Sequence, residues 1–178
     1  MSLRFYTLLL FSATAVIFIS VSSFGLYPVI SVNGSLVWAK NYYGLTAGFN
    51  RYNGAADVLV DEKPAGRGMI MSLVADEIVL EEFRLRGFSE NDAQKRVDEA
   101  LQKDGANLSE ASAKLYGWTL KDLKRFSLLP QARQDLIYEA LQKEGVEFGA
   151  WLSGRLAKSD IKIYFLPYRW QDGQLVEK

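Results

Sequence analysis

The chain divides into two zones by the spacing of its apolar residues. No charged residue occurs between Arg4 and Lys40, and residues 5–24 (FYTLLLFSATAVIFISVSSF) form an almost unbroken apolar run. As a helix rising ~1.5 Å per residue, twenty residues reach about 30 Å, the depth of a hydrocarbon core. From Lys40 onward apolar and polar residues alternate with the periods of folded elements. Tyr27-Pro28 ends any spanning helix, because proline lacks an N–H and disfavours helix in the residue before it. Residues 29–32 are short and β-branched, and Asn33-Gly34 is a turn signal.

Helical periodicity then dominates. Trp38, Tyr42, Leu45, Phe49 and Tyr52 recur at intervals of 4, 3, 4 and 3, which places five apolar side chains on one helical face, with a helix packed into its own core as the favoured reading and a groove for peptide or lipid as the alternative. Gly44 and Gly48 lie on the neighbouring face and suit close contact between helices. Residues 53–68 read as a loop, with a short strand at 57–61. Asp57, Asp61 and Glu62 match no calcium-loop spacing and read as solvated charge. Residues 69–86 form a second long helix, apolar enough to pack on more than one side, with Glu77 and Glu81 as exposed helix charges and Gly87 as its C-cap. Ser89 and Asp92 make an N-terminal capping pattern for a short helix ending near Gly105. Another short helix runs from Ser109 to Tyr116. Thr119 and Asp122 cap a further helix, bent or divided at Pro130 and broken at Gly145. Phe148, Trp151, Leu152 and Leu156 mark a last amphipathic turn set. At 161–166 the period changes to two: Ile161, Ile163 and Phe165 face inward, and Lys162 and Tyr164 face out. That strand requires a partner, either 29–32 or 58–60, with the first favoured.

These elements predict a mainly α fold. Residues 1–28 are a membrane anchor or signal segment, 29–170 a helical domain with a small β element, and 171–178 a polar tail. Arg4 and the terminal amine precede the apolar run, so the positive-inside rule places the N-terminus in the cytoplasm and the domain outside the cell membrane. The rival is a cleaved signal peptide, which makes the domain secreted. The one A-x-A sequence, at Ala13-Thr-Ala15, lies inside the run and too early for a cut.

Charge and composition narrow the function. The chain carries 21 basic and 21 acidic residues, for a net charge of zero, and no polybasic run, which argues against nucleic acid as a partner. It has neither cysteine nor histidine. That removes disulfides, thiol nucleophiles, the commonest general base and the commonest metal ligand. No phosphate-binding glycine loop, metal-ligand cluster or nucleophile elbow is present. The expectation is a non-enzymatic protein without cofactor or metal.

The order of parts carries a resemblance. An apolar segment leads through Val32-Asn33-Gly34 into a first helix, then a second (ADEIVLEEFRLRGFS, 75–89) and a capped short helix (SENDAQKRVDEAL, 89–101). Tyr116-Gly117-Trp118-Thr119 then introduces a long, proline-interrupted helix. This resembles the N-terminal chaperone domain of SurA-type proteins, shared with PrsA- and PpiD-like extracytoplasmic foldases, over residues 29 to 166. The family usually adds a parvulin-type prolyl isomerase domain. No room follows residue 166 for one, and no histidine is present for its active site. The resemblance therefore implies a tethered chaperone that binds unfolded or exported polypeptides without isomerase activity. Its peptide contacts are expected at Trp38, Tyr42, Phe49, Tyr52, Trp118, Phe126 and Trp151. The alternative is an anchored adaptor that docks one specific partner.

Overall fold

The computed structural model describes residues 24–55 and 62–178, together with Thr14. The apolar run at 5–23 therefore lies outside the described residues, apart from Thr14, as does the short strand read at 57–61. Among the described residues no helix is long and apolar enough to cross a membrane.

The fold is mainly helical with two small antiparallel sheets. Strand β1 (Pro28–Val32) turns into β2 (Ser35–Trp38). Helices α1 (Ala39–Ala55), α2 (Glu62–Leu85) and α3 (Glu90–Tyr116) follow. A short α4 (Leu120–Leu123) passes through a π-helical turn (Lys124–Leu128) into α5 (Leu129–Lys143), and α6 (Phe148–Lys158) completes the helical part. Strands β3 (Ile161–Ile163), β4 (Tyr168–Gln171) and β5 (Gln174–Glu177) close the chain.

The strand at 161–163 pairs with β1, as favoured. The sheet order is β2-β1-β3, and Ile30 faces Ile163 while Val32 faces Ile161. The expected alternation ends early, however. Ile161 is buried and Lys162 exposed, but Phe165 leaves the strand at φ +55° and stands 77 % exposed. Leu166 takes the buried place instead.

Two corrections come from the same turn chemistry. Asn33-Gly34 (φ +50° and +86°) and Asp172-Gly173 (φ +51° and +76°) both have two positive φ values in succession, the geometry of a tight two-residue hairpin. The first makes β2 out of residues 35–38, so Trp38 ends a strand and does not begin the α1 stripe. The second makes a β4–β5 hairpin out of what reads as a polar tail. Leu175 in that hairpin is 3 % exposed and belongs to the core.

Helix α2 is the spine of the molecule. Ile70, Val74 and Ile78 pack with Val29, Ile30, Val37 and Tyr42 in one core. Val79 and Phe83, further along, pack with Val97, Ile137 and Leu141 in a second. A side chain as large as Phe83, buried to 1 % exposure, contributes ~1.5–3 kcal/mol by leaving water. Trp151 on α6 touches both cores.

Three helix ends follow the sequence signals, whereas α1 runs on to Ala55 and α2 begins at Glu62, both inside the stretch 53–68 read as a loop. Gly87 ends α2 at φ +78°. Asp92 accepts from the Ser89 N–H at 2.8 Å, and Asp122 accepts from the Thr119 N–H at 3.1 Å. The two short helices read at 90–105 and 109–116 are one element, α3, kinked at Asp104, whose φ of −149° is outside the helical range. The interruption read at Pro130 is a π turn just before it, in which the Leu129 N–H reaches back to the Lys124 carbonyl. Pro130 itself sits in the first turn of α5, where its missing N–H costs little. The wider turn relieves the clash of its ring with the carbonyl four residues earlier.

Candidate functional site

The seven aromatic residues expected to share a peptide groove do not share one surface. Tyr42 is 9 % exposed and belongs to the first core. Trp38 ends β2, and Trp151 packs with Phe148 at 5.4 Å between the two cores. Phe49 is half-buried along α1. The remaining three do meet, in a ladder joined by Tyr116. Tyr52 stacks on Tyr116 at 5.1 Å, Tyr116 on Trp118 at 4.7 Å, and Trp118 lies 5.4 Å from Phe126.

The glycines explain the ladder. A Cβ on Gly44 would come within 2.6 Å of the Phe126 ring, and one on Gly48 within 2.2 Å of the Trp118 Nε1. The two glycines thus form a shallow channel on α1 into which these rings pack. The half-buried rings pack on one another and on α1, so the ladder is a seam between helices, with Phe126 at its edge toward the neighbouring groove. Within the seam the Trp118 Nε1–H is buried and has no hydrogen-bond partner among the described residues.

An open groove lies beside the seam, between α2 and the α4–α5 rod. Its inner end, about 100 Å³, is lined by Leu45, Leu73, Asp76, Phe126 and Pro130. It widens outward to about 650 Å³ between Leu80, Leu120 and Leu129, with Lys121, Lys124, Arg125 and Arg133 around it. Asn41, Glu77, Leu80, Arg125 and Arg133 line both parts, which makes the two continuous. The π turn borders this groove and aims Arg125, whose guanidinium bonds the Asn41 side-chain oxygen and lies 5.3 Å from the Phe126 ring centre. Arg133 donates to Glu90 at 2.6 Å. The groove is therefore apolar along its floor, with a rim in which four cations outnumber Glu77 and Asp76.

One acidic group stands out there. Burial pushes the Asp76 carboxyl up to about 6, neighbouring Glu77 adds to the rise, and Arg133 opposes it. Glu77 and Glu81, read as exposed charges, are half-buried fasteners: Ser35 Oγ donates to Glu77 at 2.6 Å and Asn33 Nδ2 to Glu81 at 2.7 Å. Both therefore tie α2 to the β1–β2 hairpin, beside a polar cleft of about 370 Å³.

Against protein-family models, curated proteins and solved structures alike, the chain finds no match. The site is therefore read on its own geometry. Among the described residues no group of three or more Asp or Glu side chains is placed to hold a metal ion. Sequence reading missed Leu80, Leu120, Leu129, Arg125 and Arg133. The one available signal was the cluster Lys121, Lys124 and Arg125 directly after a helix cap, where the macrodipole favours acidic residues instead.

Proposed function

We propose that the chain is a membrane-tethered, chaperone-like protein that holds unfolded or exported polypeptide segments in the groove between α2 and the α4–α5 rod. The observation that carries this reading is the groove itself: a leucine floor at Leu80, Leu120 and Leu129 within a net cationic rim. Such a surface takes apolar side chains of varied shape and favours segments that also carry a carboxylate. Holding a client of this kind requires no catalytic group. The resemblance to SurA-type domains implies the same activity, while the contacts assigned here differ from the aromatic set it suggested.

The test is suppression of client aggregation, followed by light scattering, with the full chain in detergent micelles and a reduced, unfolding client. The wild-type chain suppresses scattering at several-fold excess. Leu120→Glu, at the groove mouth, loses most of that effect, whereas Val146→Glu, equally exposed in the α5–α6 loop, keeps it. No suppression by the wild-type chain sinks the proposal. Recovery of one stoichiometric partner from crosslinked cells, in place of many unfolded ones, assigns the chain as an adaptor.

A further inference from the structure

The two ends of the β2-β1-β3 sheet differ in chemistry. One end holds the Asn33-Gly34 turn with Asp160 and Lys162, all polar and exposed. The other holds Tyr27, Pro28, Trp38, Tyr164 and Phe165, joined by the Pro28–Trp38 pairing and the Tyr164 N–H bond to the Val29 carbonyl. Large apolar side chains stand exposed around that second end: Phe24 at 70 %, Leu26 at 45 %, Trp38 at 37 %, Tyr43 at 49 % and Phe165 at 77 %. The Phe165 ring meets Tyr27 edge-on at 5.9 Å, and Tyr27 is hydrogen-bonded to Tyr43. Between Phe24 and Tyr43 the sequence carries a single charge, Lys40, and residues 163–168 carry none.

Phe165 is the least expected of these. A bulky residue at φ +55° is a backbone outlier, and burial does not explain it because the side chain points into solvent. Strain of this kind tends to sit where a side chain must be presented.

The chain reaches this patch without a slack linker. The Ala39 N–H donates to the Tyr27 carbonyl at 2.9 Å and the Lys40 N–H to the Gly25 carbonyl at 3.2 Å. These are first-turn donors of α1 that have no partner within the helix. Gly25, at φ +61°, lies so close to Lys40 that a Cβ there would come within 2.7 Å of its backbone nitrogen. Residues 25–27 are thereby clamped to the domain, and the twenty-residue apolar run ends at Phe24, inside the patch.

We infer that this aromatic end is a lipid-facing surface: the domain lies directly on the bilayer, with Leu26, Trp38, Tyr43 and Phe165 in the headgroup region. The inference rests on the tethered reading above. Trp and Tyr prefer that depth because one end of each ring system is apolar and the other polar, and Lys40 reaches lipid phosphate from the same place. On the tethered reading, the clamp at residues 25–27 keeps these side chains beside the end of the apolar run.

The chain has no cysteine, so single labels are direct. Phe165→Cys, Leu26→Cys and, on α5, Tyr138→Cys are each labelled with an environment-sensitive fluorophore. The full chain is reconstituted in phosphatidylcholine vesicles with and without doxyl-labelled lipid, and melting curves confirm each variant is folded. Labels at 165 and 26 are expected to shift to the blue and to be quenched several-fold more than the label at 138. A chain that floats with the vesicles but shows equal quenching at all three positions overturns the surface contact and leaves the tether standing. A chain that fails to float overturns both. Excimer emission from pyrene at position 165, with no lipid quenching, gives the patch to a second copy of the chain and likewise overturns the inference.

Discussion

Asp76 shows how one residue sets a pH dependence opposite to that of other carboxylates in the fold. Its carboxyl is raised from an ordinary 3.8 to about 6, chiefly by burial and then by Glu77. Between about pH 4 and 6 the folded chain holds a proton there that the unfolded chain has released, so this site's contribution falls as pH rises through that window. Asp92, Glu144 and Glu147 work the other way. Hydrogen bonds hold their carboxyls below the usual range, so they support the fold above that range and lose effect in acid. Asp76→Asn leaves those three groups untouched. In urea unfolding it is expected to match the wild type near pH 4 and to exceed it by about 1–3 kcal/mol at pH 7.5. Equal stability at both pH values would place Asp76 in contact with water. Gly44 and Gly48 carry the other residue-scale lesson. Their spacing along α1 was legible, and so was the prospect of close contact, but which rings filled the channel was not. Trp118 and Phe126 come from 70 or more residues away in the chain, and no local period reports that distance.

At the scale of elements, most helices were readable, and so were β1 and β3, while β2, β4 and β5 were not. The apolar stripes of α1, α2 and α5 repeat over several turns, and Ser89, Thr119 and Gly87 punctuate them with side-chain chemistry that acts locally. Strands β2, β4 and β5 have four residues each, too few for a period of two to stand out. The Asp172-Gly173 turn was the missed sign, since it repeats the Asn33-Gly34 turn at the other end of the domain. The groove was illegible for a different reason: its walls come from α2 and from α4–α5, and only tertiary packing brings Leu80 opposite Leu120. The π turn beside it offers a direct test. Pro130→Ala restores an N–H and improves helix propensity, yet α5 already tolerates proline in its first turn. The variant is therefore expected to show no rise in Tm. If the π turn instead relaxes to α-helix, Arg125 rotates away from Asn41, and the client binding proposed for the groove is expected to weaken. A higher Tm with unchanged binding would mark the π turn as strain without a purpose.

For the whole molecule, closure depends on its two ends. Leu175, three residues from the C-terminus, is 3 % exposed, and its carbonyl accepts from Arg67 at 2.9 Å. Leu175→Ala is expected to cost about 2–4 kcal/mol in urea unfolding, and Gln174→Ala, exposed on the same strand, close to nothing. Equal, negligible effects would return the last eight residues to a loose tail. The same dependence appears in β1, which pairs on one side with β2 from the next few residues and on the other with β3 from near the opposite end of the chain. Ribosomes release the chain from the N-terminus, so residues 28–38 emerge before the β3 partner of β1 and before the cover of their apolar face. A two-stranded hairpin has little stability alone. Its missing edge is supplied only when Ile161, Lys162 and Ile163 have been made, and its cover is completed later still by Tyr168 and Leu175. The first core of this protein is thus among the last parts to be finished in time. Until β3, Tyr168 and Leu175 are made, the apolar side chains of this core lack their cover, a condition that invites aggregation.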